Sequence, residues 1–215
     1  MNLSQSPIEN QKVEDKVVTF LNMARTRPNE FMKHLDDRMM SMNGCVYTDE
    51  AQERLVETEE GKQPIIDVYD ILDKMVAKLL PLEVNRNLQK SARDHLNYIA
   101  VNGGVPTHIG EDGLSMQKRI SSAIGKIGCE AECIVLDEGT AESIVMNLLI
   151  DDGLLDRPNR EIILNKDFKS VGVAYGQTAD GSYQICVLHF FGYGTMPETT
   201  LFPSNDLDNE PWLIH

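Results

Sequence analysis

Apolar residues recur at helical spacing through most of the first 150 positions. In residues 13–35 they fall at Val13, Val17, Phe20, Leu21 and Ala24, then at Phe31, Met32 and Leu35, the pattern of a helix with one buried face. Pro28 follows Arg25-Thr26-Arg27 and divides the stretch into two helices, because proline offers no N–H and crowds the turn before it. Ile66, Tyr69, Leu72, Met75, Val76 and Leu79 predict a helix over 65–80, ended by Pro81. Leu88, Ala92, Leu96 and Ile99 predict another, capped by Asn87 and stopped by Gly103-Gly104. Shorter helices are expected over 115–124, ending at Gly125, and over 139–150, where Thr140 is the cap and Ile144, Val145, Leu148 and Leu149 are apolar. Residues 43–63 break the pattern. They are polar and acidic, with Glu57, Glu59 and Glu60 clustered, and read as a surface insertion with at most a short helix.

The period shortens toward the C-terminal end. Residues 132–136 are brief and strand-like, and 151–159 form a loop followed by a turn at 160–164. Two clear strands, 170–175 (SVGVAY) and 183–191 (YQICVLHFF), are joined by the turn signal Thr178-Ala179-Asp180-Gly181. Helices come first and strands then mix with helices, which predicts an α+β fold and not a repeating βαβ. Residues 1–11 are polar and read as a flexible tail, so the domain spans 12–192. Residues 193–215 carry Pro197, Pro203 and Pro211 and isolated apolar side chains at Phe202, Trp212, Leu213 and Ile214. This is an extended arm that either packs back on its domain or anchors in a partner.

Size and composition narrow the options. A chain of 215 residues that is 41% hydrophobic buries roughly 70% of its unfolded surface, so it needs neither disulfide nor metal to fold. The formal net charge of −14 disfavours nucleic acid and anionic membrane faces as partners. No run approaches the ~18 apolar residues of a membrane helix, and residues 1–11 have no apolar signal core. Cys45, Cys129, Cys133 and Cys186 are therefore expected as reduced thiols in a cytoplasmic chain or an intracellular assembly, a mature secreted chain being the alternative. Cys129 and Cys133 lack a second pair for zinc and read as small hydrophobes.

The candidate chemistry centres on His108. It ends a Gly-Gly-Val-Pro turn and precedes an acidic, glycine-bearing loop, so it either caps a helix entry or is presented into a cleft. With an acid beside it, an imidazole of pKa near 6.5 could act as a base or as a proton-sensitive latch. No nucleophile elbow is present, Ser115 lies at no diagnostic spacing, and Cys133 has no histidine assigned to it. His95 reads as a half-buried packing residue within a helix. His189 lies in a strand whose register is open. Arg119 and Arg160 are placed to pair with Asp112 or Asp152.

Six short motifs, in order, resemble the CAP superfamily (cysteine-rich secretory proteins, antigen 5, pathogenesis-related 1; also called the SCP domain). They are Leu21-Asn22…Arg25…Pro28…Phe31; Asn87-Leu88…Ala92…His95; Thr107-His108…Asp112-Gly113…Arg119-Ile120; Ala131-Glu132-Cys133-Ile134; Asp151-Asp152-Gly153…Arg157-Pro158-Asn159-Arg160…Ile163-Leu164; and Val171-Gly172-Val173. The resemblance covers residues 13–192. It implies a three-layer α-β-α sandwich with a central mixed, mainly antiparallel sheet, and a cleft holding two histidines and two acids. His108 then matches the first histidine and Glu132 the first acid. Asp151 matches the second acid, with Asp152 as the alternative, and Asn159 stands where the second histidine would be. His108, Glu132 and Asp151 become candidate ligands for a divalent metal. With an amide replacing an imidazole, the cation should be weakly held or of the calcium or magnesium kind, and no cofactor is required. A hydrogen-bonded clamp tying a loop to the sheet is the equal alternative for His108 and Glu132. The function expected is a non-enzymatic binding module with protein partners, a component of a larger assembly. A metal-assisted hydrolase with His108 as base and a sterol or lipid carrier are the alternatives.

Overall fold

The computed structural model describes residues 6–49, 53–75, 78–136 and 139–193. The arm residues Phe202, Trp212, Leu213 and Ile214 lie outside these.

The first helix, α1 (Pro7–Thr26), begins earlier than the apolar spacing suggested. Ser6 and Glu9 form a reciprocal capping box and Pro7 occupies the first turn, so three local signals start the helix inside the expected flexible tail of residues 1–11. Helix α2 (Pro28–Ser41) follows at the proline, as expected. The polar insertion at 43–63 is a small antiparallel sheet of β1 (Met42–Asn43), β2 (Val46–Asp49) and β3 (Arg54–Glu57), in the order β1-β2-β3. Its buried face pairs Tyr47 with Val56, and the Arg38 guanidinium lies 3.9 Å from the centre of the Tyr47 ring. Polar residues alternate around two buried side chains here, so total polarity hid a period-2 signal.

Helix α3 (Gln63–Asp73) is shorter than the predicted 65–80. Residues 79–82 beyond it are held as an extended strap by α1. The Leu79 N–H donates to the Arg25 carbonyl, and Leu82 exchanges hydrogen bonds with the Asn22 amide. That strap leads to β4 (Glu83–Val84). Helix α4 (Arg86–Val101) is capped by Asn85, not Asn87: the Asn85 side chain accepts from the N–H groups of Asn87 and Leu88. Its predicted stripe of Leu88, Ala92, Leu96 and Ile99 is buried. Helix α5 (Met116–Ile124) has Ser115 as cap and left-handed Gly125 as stop, and α6 (Ala141–Ile150) has Thr140 as cap. The turn expected at 160–164 belongs to a short helix, α7 (Pro158–Leu164), which Pro158 initiates.

The main sheet contains β4, β5 (Cys129–Leu136), β6 (Phe168–Gln177) and β7 (Gln184–Gly192) in the order β4-β6-β7-β5. Only β4 and β6 pair in parallel, so the sheet is mixed and mainly antiparallel. One face, including Cys133, Val173, Leu188 and Phe190, packs in the large core with α1, α2, α3, α6 and α7. The other face presents Ile134, Ala174, Ile185 and Val187 to α4, and Phe191 to Leu88 and to Met116 and Ile120 of α5. The result is the three-layer α-β-α sandwich of an α+β protein. Gly172 fixes how closely the α4 layer approaches, since a Cβ there would lie 2.1 Å from the Gln89 backbone nitrogen.

Candidate functional site

β-Pairing places Glu132 of β5 opposite His189 of β7, and His189 opposite Gly172 of β6. With no side chain at Gly172, α4 sits low on the sheet and brings His95 to the same spot. Glu132 is 1% exposed and is surrounded by polar partners. His108 Nδ1 donates to its Oε1 at 2.8 Å and His189 Nε2 to its Oε2 at 2.6 Å. The guanidinium of Arg119, from α5, donates to Oε2 at 2.7 Å, and His95 Nε2 lies 3.7 Å from the same oxygen. Burial alone would raise the carboxyl's pKa. The hydrogen bonds from His108 and His189 and the nearby positive charge outweigh it, so the group stays ionised far below the usual carboxylate range.

The histidines differ in role. His95 is fully buried, not half-buried, and its Nε2 donates to the Thr107 carbonyl at 2.7 Å, which fixes the backbone just before His108. Burial first of all pushes its pKa down to about 4, against the pull of Glu132. Its Nδ1 has no partner, so a protonated ring would leave a donor stranded. His189 is 0% exposed and its Nδ1 also lacks a partner. Arg119 pins the loop as well, donating to the carbonyls of His108 and Leu114. It pairs with Glu132 instead of Asp112 or Asp152. The clamp expected for His108 and Glu132 is thus present, and it draws in His95, which the sequence read as packing, His189, whose side it left open, and Arg119, which it paired with other acids. Their signal was register: once Glu132 and His189 are aligned as cross-strand neighbours on the α4 face, the cluster follows.

Asp151 is elsewhere. It ends α6 in the left-handed conformation (φ 54°), on the face opposite α4 and α5. Its carboxylate accepts from the Asn159 N–H and side-chain amide, both at 2.7 Å, and from the Arg160 N–H at 3.1 Å. Burial raises its pKa to about 6, those hydrogen bonds opposing the rise. Asn159 meets Asp151, but the sheet separates that pair from His108 and Glu132. The expectation that one recess gathers His108, Glu132 and Asp151 is corrected. β5 points Glu132 to one face and Cys133, with Asp151 beyond it, to the other, because successive strand side chains alternate. The triad offers no common metal centre, and among the described residues no three His, Cys, Asp or Glu side chains are grouped to hold an ion. The Cys133 thiol, wholly buried, has its pKa pushed well up, first by burial, which suits a small hydrophobe and not a nucleophile.

Asp152 and Arg160 are structural too. Asp152 accepts from the N–H groups of Glu59 and Glu60, while Arg157 grips the Glu60 carboxylate with two hydrogen bonds of 2.6 Å. Arg160 donates to the carbonyls of Leu149, Ile150 and Pro64. Above the Glu132 cluster, a recess of about 440 Å³ opens between α4 and α5. Ser91, His95 and Tyr98 line one side, and Arg119, Ser122 and Ala123 the other.

Among the solved structures similar to this chain, three have low identity. An outer surface protein from Borrelia burgdorferi shares 19% identity at a TM-score of 0.46, over 60% of this chain and 88% of that one. An extracellular protein containing an SCP domain from Bacillus anthracis shares 14% at 0.43, over 65% and 47%. A cysteine-rich secretory protein from Staphylococcus aureus shares 13% at 0.38, over 65% and 42%. None of the curated proteins compared with the chain matches it. The family model for CAP, the cysteine-rich secretory protein family, matches residues 76–190. That span is just over half of the sequence and runs from the strap before β4 to Phe190 of β7, so the chain belongs to the CAP family.

Proposed function

We propose that this chain is a non-enzymatic CAP-domain binding module, a component of a larger protein assembly that holds a protein partner at the recess between α4 and α5. The observation that carries the reading is the state of Glu132. Both of its oxygens are taken by His108, His189 and Arg119, so the cluster is built to fix the recess floor and not to exchange protons or ligands. A general base needs to reach the proton it removes, and the Nδ1 of His108 is already committed to the Glu132 carboxylate. The recess walls mix aliphatic, aromatic and hydrogen-bonding groups, which suits a protein surface better than a sterol. All four cysteines are thiols, which favours a reducing compartment.

The test is co-purification from the native source with the wild-type chain and with Ala123→Arg, which fills the recess while leaving the Glu132 cluster in place. A partner retained by the wild type and lost by the folded variant is the expected result. Turnover of an ester or peptide substrate that disappears in His108→Ala, with the fold intact, would replace this reading by a hydrolase.

A further inference from the structure

We propose that one end of the main sheet, formed by residues 126–128, 166–169 and 193, is a second docking surface that takes a narrow acidic segment of a partner protein. It lies outside the recess between α4 and α5 and is independent of the reading given above. Cys129, Gly192 and Phe168 form one row across β5, β7 and β6. The residues just beyond that row, Lys126 and Ile127, Tyr193, and Lys166, therefore emerge together. The three backbones are locked against one another. A Cβ on Gly128 would lie 2.4 Å from the Gly192 carbonyl oxygen, and one on Gly192 would lie 2.0 Å from that of Asp167. A surface held this firmly loses little entropy on binding.

It combines exposed apolar and basic side chains. Ile127 is 91% exposed and Tyr193 71% exposed. The Tyr193 ring packs edge-on against Phe191 at 5.8 Å, and the Lys126 ammonium lies 5.8 Å from its centre. Lys169 Nζ donates to the Lys166 carbonyl at 2.7 Å, which holds a further positive charge at this end of the sheet. Asp167 and the buried Glu130 are the acids nearby in sequence. The patch is thus basic and apolar on a chain of net charge −14.

That contrast selects the partner's shape as well as its sign. A membrane or a nucleic acid presents a broad anionic face and would meet the negative surroundings together with the patch. A narrow acidic segment meets three lysines against the single exposed-side acid Asp167, because charges farther away than about 8 Å are screened at physiological ionic strength. An apolar side chain on that segment would cover Ile127 and Tyr193, which are otherwise left in water.

The full chain can be titrated, by fluorescence anisotropy, with a labelled peptide of about 12 residues made of glutamate and serine around one leucine, and with a control in which lysine replaces glutamate. The acidic peptide should bind at least about tenfold more tightly than the control and weaken as salt rises through the screening range. Lys126→Glu with Lys166→Glu should cost about tenfold or more and Ile127→Ser a smaller factor, while Ala123→Arg in the recess changes nothing. Equal binding of the two peptides, no binding of either, or wild-type affinity in the folded double variant would overturn the proposal. Preferential binding of phosphatidylserine vesicles over the acidic peptide would overturn it as well.

Discussion

Glu132 and Asp151 are both buried acids, yet their surroundings drive them in opposite directions. Glu132 ionises more easily in the folded chain than in the unfolded one. Below the ordinary carboxylate value of 4.5 the unfolded chain takes up the proton first, so this residue's contribution is lost as pH falls through that range. Glu132→Gln should flatten the acid limb of a denaturation-versus-pH series. At neutral pH it should cost about 3 kcal/mol, because Arg119 is left buried without its counter-charge. Asp151 has the reverse sign. Its pKa rises from 3.8 to about 6, so the folded chain holds that proton more tightly, and stability declines as pH climbs from about 4 to 6. Asp151→Asn should remove this decline, worth about 3 kcal/mol, in the same denaturation-versus-pH series. A variant that kept the wild-type slope between those pH values would show that Asp151 is already ionised there.

At the scale of elements, arginines act as internal ties. Arg25 is completely buried, and its hydrogen bonds among the described residues go to carbonyls and not to a carboxylate. It donates to the carbonyls of Leu80, Ile163, Asn165 and Phe168, joining α1 to the strap before β4, the end of α7 and the start of β6. Burial lowers its pKa to about 10, so it remains charged at neutral pH. Arg25→Ala strands several carbonyls at once and should destabilise the chain by roughly 3–5 kcal/mol in chemical denaturation. Arg25→Lys should recover only part of that, since an ammonium cannot reproduce the planar fork. The motif Leu21-Asn22…Arg25…Pro28 was legible in sequence as a helix and its break. That Asn22 and Arg25 turn outward from this helix to bind the strap was not, because their acceptors are backbone carbonyls, which have no sequence signature. The same cause explains why α3 stops early: tertiary hydrogen bonds to residues 79–82 outweigh a helical apolar spacing that continues past Asp73.

For the whole molecule, the sheet acts as a partition. The His108–Glu132 cluster and the Asp151–Asn159 pair sit behind opposite faces, and the hydrogen bonds that hold each go to different residues. Losses on His108→Ala and on Asn159→Ala should therefore add to within about 0.5 kcal/mol in a double-mutant cycle. Coupling well above that would mean the two sites communicate and would revive a single cleft. The two clusters are separate fastenings of one sandwich: one secures the loop at 107–114 over the sheet, the other the junction of α6 and α7.

Local patterns alone determined a good deal. Period and punctuation gave the helices at 86–101, 116–124 and 141–150 and the β6–β7 hairpin, because caps, stops and buried stripes are short-range properties. The order of motifs gave the three-layer sandwich and put His108 beside Glu132, but it put Asp151 and Asn159 in the same recess. Which face each pair occupies was decided only in three dimensions. One residue of strand register sends Glu132 toward α4 and Cys133 toward α6, and the absence of a side chain at Gly172 lets α4 approach closely enough to bring His95 beside His189. Both depend on contacts between segments far apart in the chain, and no local periodicity encodes such distances.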